Sequence, residues 1–198
     1  MPKPVRADPA AAPHPGARPL TEAARVWDPV VRLFHWGLVA SFATAWFSAN
    51  QAEALHMWAG YAAAGLIATR IVWGVVGTRH ARFAGFIRHP RTVLAYLRDI
   101  LRGTEARHIG HNPAGGAMVV ALMLGVAALG VTGWMMYTDT WYGDDALAEV
   151  HGLIADGMVL LILLHLAGVA LASLRHRENL VRAMVTGTKR PPEKGDIG

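Results

Sequence analysis

Four long apolar runs, separated by short polar stretches, organise the chain. They cover about Val30 to Ala49, Leu55 to Gly77, Ala114 to Tyr137 and Val150 to Leu174. A helix rises about 1.5 Å per residue, so about 20 residues cross a bilayer's hydrocarbon core. Helices in a soluble core are usually shorter and keep one polar face. The pattern therefore predicts an all-α membrane protein, a bundle of four transmembrane helices. Between the second and third runs the period changes. Val93, Leu94, Leu97, Ile100 and Leu101 fall on one helical face of Pro90 to Leu101, with Arg91, Arg98, Asp99 and Arg102 towards the other. That is the signature of an amphipathic helix lying on the inner leaflet; docking on a soluble partner is the competing reading. Residues 1–25 hold six of the eleven prolines and no apolar core, which predicts a disordered cytoplasmic tail and not a signal peptide. Residues 26–187 form the membrane domain, and the polar segment 188–198 is expected to be loose.

Composition agrees. Of 198 residues, 53% are hydrophobic and only 17% charged, against about a quarter charged in soluble domains. The placement of charge says more than the net +5. No Lys or Arg falls between Trp36 and Thr69, or between Ile109 and Leu174. A nucleic-acid-binding surface would not exclude basic residues so cleanly. The loop Ser48 to Ala54 carries Glu53 and no base, and Thr138 to Glu149 carries Asp139, Asp144, Asp145 and Glu149 and no base. Basic residues collect in the N-terminal tail, in the loop Arg79 to Arg107 and after Leu174. The positive-inside rule places these three on the cytoplasmic side of a bacterial inner membrane and the acidic loops outside. The absence of cysteine excludes disulfides, iron–sulfur clusters, thiol catalysis and covalently attached haem.

Polar groups within a span are costly and point to function. Four histidines lie in the apolar runs: His35, His56, His151 and His165. Counting from the ends puts His35 and His165 in the inner half, and His56 and His151 at the outer ends of their helices. His151 and His165 are 14 residues apart, which brings them to within about 40° on one helix face and about 21 Å apart along the axis. One helix can thus offer a ligand to each of two stacked haems. Two neutral imidazoles complete a six-coordinate, electron-transfer haem.

Arg32 lies three residues before His35, and Arg70 fourteen after His56. Both suit haem propionates, which a guanidinium fork matches; equally, both suit lipid phosphates or orientation alone. Gly60 lies one turn from His56 and either allows tight helix packing or leaves room for a macrocycle. His111 and His176, at the inner boundary, suit a surface role better than quinone binding or proton movement. Asp156, within the fourth run, suits a hydrogen bond to another helix slightly better than a proton relay. His80, His89 and His108 are expected to be solvated.

The chain resembles the bacterial cytochrome b561 and nickel–iron hydrogenase b-type cytochrome subunit family. The resemblance is carried by Trp27-Asp28, by Arg32 to Trp36 with His35, by Leu55-His56 with Gly60, by Gly110 to Pro113, by His151-Gly152 with His165, and by Arg177 to Leu180. It implies two b haems with bis-histidine ligation, His35 with His165 and His56 with His151, the third helix supplying no ligand. It also implies electron exchange between the membrane quinone pool and a periplasmic partner, such as a c-type cytochrome or an oxidoreductase subunit. The acidic outer loops suit a basic partner surface. The competing readings are a membrane anchor subunit of a larger oxidoreductase such as a hydrogenase, and a haem-free transporter or scaffold using its histidines for protons or metal ions.

Overall fold

A computed structural model describes residues 23–198; most of the expected tail, residues 1–22, lies outside the described residues. The chain runs through a short strand β1 (Ala24–Arg25), α1 (Pro29–Ser48), α2 (Glu53–Val76), one turn of helix α3 (Phe83–Phe86), α4 (Pro90–Arg102), α5 (Pro113–Met135), α6 (Asp145–Arg175), α7 (Leu180–Thr186) and β2 (Thr188–Lys189). The helices α1, α2, α5 and α6 are long and apolar enough to cross a membrane.

Their starts are set by local chemistry. Asp28 caps α1, its Oδ1 accepting from the Val31 amide at 2.9 Å, with Pro29 in the first turn. Asn112 caps α5 in the same way, accepting from Gly115 N at 2.7 Å ahead of Pro113. Asp144 caps α6 through Leu147 N, and Asn179 caps α7 through Arg182 N. Such caps satisfy amides that a helix start leaves open, and proline tolerates the first turn because its missing N–H is not needed there. The Asp144 cap moves the start of α6 to Asp145, ahead of the expected Val150. Asp145 and Glu149 therefore lie on the helix, not in the loop, and the 31 residues of α6 reach well beyond a hydrocarbon core.

The spans meet in one apolar core. Phe34 of α1, Ala63 and Ile67 of α2, Val126 of α5 and Met158 of α6 are its buried members. A Cβ on Gly125 would come within 2.2 Å of Met158 Sδ, so the missing side chain is what lets α6 close on α5. The backbones of α1 and α2, α2 and α5, and α5 and α6 pack closely; α6 makes no comparable approach to α1 or α2.

At the basic end a second core forms around Val26, Trp27, Val31, Ala81, Ile109 and Ala183. The segment 188–198, expected to be loose, is fastened here. Thr188 and Lys189 pair antiparallel with Arg25 and Ala24. Buried Arg107 gives Nη2 to Glu178 Oε1 at 2.7 Å and to Arg190 O at 3.2 Å, and its Nη1 to Asp196. Lys189 Nζ donates to the carbonyls of His108 (3.3 Å) and Gly110 (3.4 Å). Burial works against charge on Glu178, but Arg107 and Lys189 outweigh it and hold its carboxyl below the ordinary value. A guanidinium is a rigid multiple donor, and here it ties three distant segments together.

The expected helix at Pro90 is present and runs to Arg102, where Gly103 in the left-handed conformation ends it. It packs on α5, burying Tyr96 and leaving Leu94, Leu97 and Leu101 exposed.

Candidate functional site

The histidines expected at one end of the bundle are neighbours. His56, in the first turn of α2, faces His151, in the second turn of α6, with ring centroids 6.1 Å apart and planes at 70°. Each ring is held from behind. His56 Nδ1 lies 2.8 Å from the carbonyl oxygen of Ala45 in the last turn of α1, and His151 Nδ1 lies 2.8 Å from the hydroxyl of Thr132 on α5. The four-residue connection between α1 and α2 brings His56 back against α1. Both Nδ1 atoms are thus engaged by the protein, which leaves the Nε2 atoms for a ligand.

The second pair is placed differently. His35 stands on α1 and His165 on α6. The His35 ring meets Trp36 edge-on at 5.0 Å, and its Nδ1 is buried without a hydrogen-bond partner among the described residues. Arg70 is buried at 3% exposure, beneath the rings of Phe83 and Phe86. Its Nη2 donates to Ala81 O at 2.8 Å, while Nη1 is buried and unpartnered. Arg32 donates Nη1 to Val185 O at 2.6 Å, and its Nε is unpartnered. Gly60 is half-buried, with nothing within 4 Å of where a Cβ would stand, so it serves no tight helix contact.

Three sequence expectations change here. His111 is not a surface residue: its ring lies 4.6 Å from Trp27 and 4.5 Å from Phe86, and its Nδ1 is buried without a partner. Burial, reinforced by the charges of Arg70 and Lys189, pushes His111 down to about 3, which favours the neutral ring near neutral pH. His108 is packed against Tyr96 at 5.3 Å, not solvated. Asp156 lies on the exposed surface of α6 and makes no hydrogen bond to another helix among the described residues. What sequence reasoning missed is the support behind the acidic-end pair. The Ala45 carbonyl carries no side-chain signal, but Thr132, a hydroxyl near the end of an otherwise apolar run, does.

Among the described residues no three His, Asp or Glu side chains gather as a metal cluster. At the acidic end the arrangement instead offers two imidazoles, His56 and His151. Two metal–nitrogen bonds of about 2 Å, each continued about 1 Å to the ring centre, set two imidazoles roughly 6 Å apart. The His56–His151 spacing fits a bis-imidazole iron. At the other pair, the unpartnered Arg70 Nη1 and Arg32 Nε are donors suited to carboxylates, which haem b carries.

The sequence model of the prokaryotic cytochrome b561 family matches residues 26–187. The chain belongs to the prokaryotic cytochrome b561 family. It is thus a b-type cytochrome, with haem b as its cofactor and several spans in a membrane. Three curated relatives carry the name "Probable Ni/Fe-hydrogenase B-type cytochrome subunit". Those of Rhodobacter capsulatus and Azotobacter vinelandii are 25% and 26% identical, each aligned over 82% of this chain and over 79% and 86% of their own lengths. That of Bradyrhizobium diazoefficiens is 25% identical over 68% of this chain and 64% of its own. No solved structure matches.

Proposed function

We propose that this b561-family cytochrome carries two b haems and moves electrons across the bacterial inner membrane, between the quinone pool and a periplasmic redox partner. His56 and His151 are the axial ligands at the periplasmic end, and His35 and His165 those at the cytoplasmic end. The observation that carries the reading is the facing pair His56 and His151, 6.1 Å apart with both Nδ1 atoms already engaged. Haem b bound between such imidazoles supplies reversible one-electron transfer with no open coordination position. The protein contributes ligands, spacing and a low dielectric. Helix α6 sets the spacing, since His151 and His165 are about 21 Å apart along it. Arg70 and Arg32 orient the cytoplasmic-side group by its carboxylates. Gly60 leaves room beside α2.

Charge supports the orientation. The ends of α1 and α2 that meet at Ser48 to Glu53, and the connection from Thr138 to Asp144, carry no Lys or Arg. Both termini are then cytoplasmic. Helix α4 lies on the inner leaflet, its exposed Leu94, Leu97 and Leu101 in the acyl region and its arginines at the headgroups.

A second reading, the membrane subunit of a larger oxidoreductase such as a nickel–iron hydrogenase, is favoured by the names of the three relatives. The two readings share the electron path and differ in the lifetime of the partner contact. A reduced-minus-oxidised spectrum with haem stoichiometry on the purified chain tests the common core. Two low-spin b haems per chain are expected; a haem-free protein would favour a transporter or scaffold. Whatever co-purifies separates a stable complex from an exchange partner.

A further inference from the structure

We propose that Thr132 is a positioning residue for the His56–His151 site: its hydroxyl fixes the tautomer and ring plane of His151 from a helix that supplies no ligand. The proposal rests on the reading of His56 and His151 as an axial pair.

Hydrogen-bond accounting decides the tautomer. A threonine hydroxyl has one proton to give. Thr132 Oγ1 gives it within its own helix, to the Ala128 carbonyl at 2.8 Å, with the Leu129 carbonyl at 3.3 Å on the same side. Its remaining close contact, 2.8 Å to His151 Nδ1, must then be one it accepts, so the ring proton of His151 is on Nδ1 and the lone pair on Nε2. The same holds across the site, because the Ala45 carbonyl 2.8 Å from His56 Nδ1 can only accept. Both imidazoles therefore present a basic Nε2.

Back-bonding to a carbonyl one turn earlier would satisfy Thr132 without any histidine. What goes beyond that is the third contact, together with the next residue. A Cβ on Gly133 would stand 3.4 Å from His151 Cε1, so the α5 backbone lies against the ring edge while the hydroxyl grips its Nδ1. Two points on one ring fix its plane, and the two imidazole planes stand at 70°. An acceptor behind a ligating imidazole also raises its basicity. That favours ferric over ferrous iron, so loss of the hydroxyl should raise the potential of this haem and free the ring to turn.

The test uses the full chain, purified with its haems. Thr132→Val keeps the shape and removes the hydroxyl; Thr132→Ser keeps the hydroxyl. Haem content, redox titration and low-temperature electron paramagnetic resonance of the ferric protein are read together, with His56→Ala identifying which signal belongs to this site. In Thr132→Val, haem retention at this site should weaken by about tenfold or more. Its potential should rise, and its resonance should move from the strongly axial form of near-perpendicular ligand planes towards a rhombic one. Thr132→Ser should match the wild type, and the other haem should not change. If Thr132→Val fails to insert, Thr132→Ala is read the same way. The proposal is overturned if the hydroxyl-free variants match the wild type in all three readouts, if Thr132→Ser behaves like Thr132→Val, or if the change falls on the other haem. A haem-free wild type, or a His151→Ala variant retaining two unaltered low-spin haems, would instead overturn the axial-pair reading beneath it.

Discussion

Removing the histidines in pairs should separate two haems by position. His151 and His165 share α6 but are about 21 Å apart along it, while a bis-imidazole site needs only roughly 6 Å between ring centres. No single haem can bridge that separation, so under the proposed ligation each histidine of α6 works with a partner from another helix at its own depth. The structure places His56 opposite His151, and the proposed partner of His165 is His35 on α1. Each single alanine variant should convert one haem to high spin or release it, lowering the haem-to-protein ratio from about two towards one. The double variant His56→Ala with His151→Ala should do no worse than either single, because both changes fall on one site. His35→Ala with His165→Ala should behave likewise at the other. The crossed double, His35→Ala with His151→Ala, should damage both. Haem extraction against protein concentration, with low-temperature spectra of the reduced state, reads all of this. Loss of both haems from a within-pair double that still inserts in the membrane would refute independent sites. Two undisturbed low-spin haems in every single variant would refute the ligand assignment itself.

Reporter fusions at Gln51 and Asp144 should report periplasm and a fusion at Arg98 cytoplasm; inversion at any of them would overturn the orientation. Neutralising Asp139, Asp144, Asp145 and Glu149 should slow association with a basic partner most at low salt, the difference shrinking as the Debye length falls to about 8 Å at physiological ionic strength; equal on-rates at low salt would mean that the acids serve topology alone. Glu178→Gln removes a charge from buried Arg107, which keeps Asp196, so the loss belongs at the lower end for a broken buried pair, about 3 kcal/mol. Hydrogen exchange in 104–112 and 188–198 should then quicken by roughly a hundredfold while the spans are unaffected, and uniform loosening would refute a local clasp. Because the Glu178 carboxyl is held below its ordinary value, its contribution is complete above about pH 4.5 and fades as pH falls through the lowered folded value. Exchange in those segments should rise over that range in the wild type, and much less so in Glu178→Gln.

The four spans were legible because a bilayer imposes a length and an apolarity that no soluble helix needs. The nearness of His56 and His151 was legible for a related reason: in so apolar a chain, depth can be counted from the ends. Two kinds of feature were not. The start of α6 was misplaced by five residues because hydropathy registers only apolar positions, whereas Asp144 starts the helix by capping it. The segment 188–198 reads as loose by composition, yet its order comes from contacts with Arg107 and His108, some ninety residues earlier, which no local pattern carries. His111 was misjudged for the same reason. A boundary histidine is solvated by default, and only the fold brings Trp27 and Phe86 onto its ring.

The two histidine pairs also differ in how much of each site the protein completes unaided. At the acidic end the Ala45 carbonyl and the Thr132 hydroxyl hold both imidazoles from behind. Towards the basic end, buried Nδ1 of His35, Nη1 of Arg70, Nε of Arg32, Nδ1 of His111 and Nε of Arg190 find no partner among the described residues. An unsatisfied polar atom in a water-poor interior costs on the order of 1–3 kcal/mol. Three of these five atoms belong to guanidinium groups, whose natural complement is a carboxylate. A site finished by the protein can bind by fitting. A site whose donors are completed by the ligand's own carboxylates couples binding to local order, since whatever binds the folded form alone stabilises it. Haem loading should therefore tighten the basic end more than the acidic end. That difference arises from the polar groups around each pair, since all four proposed ligands are histidines.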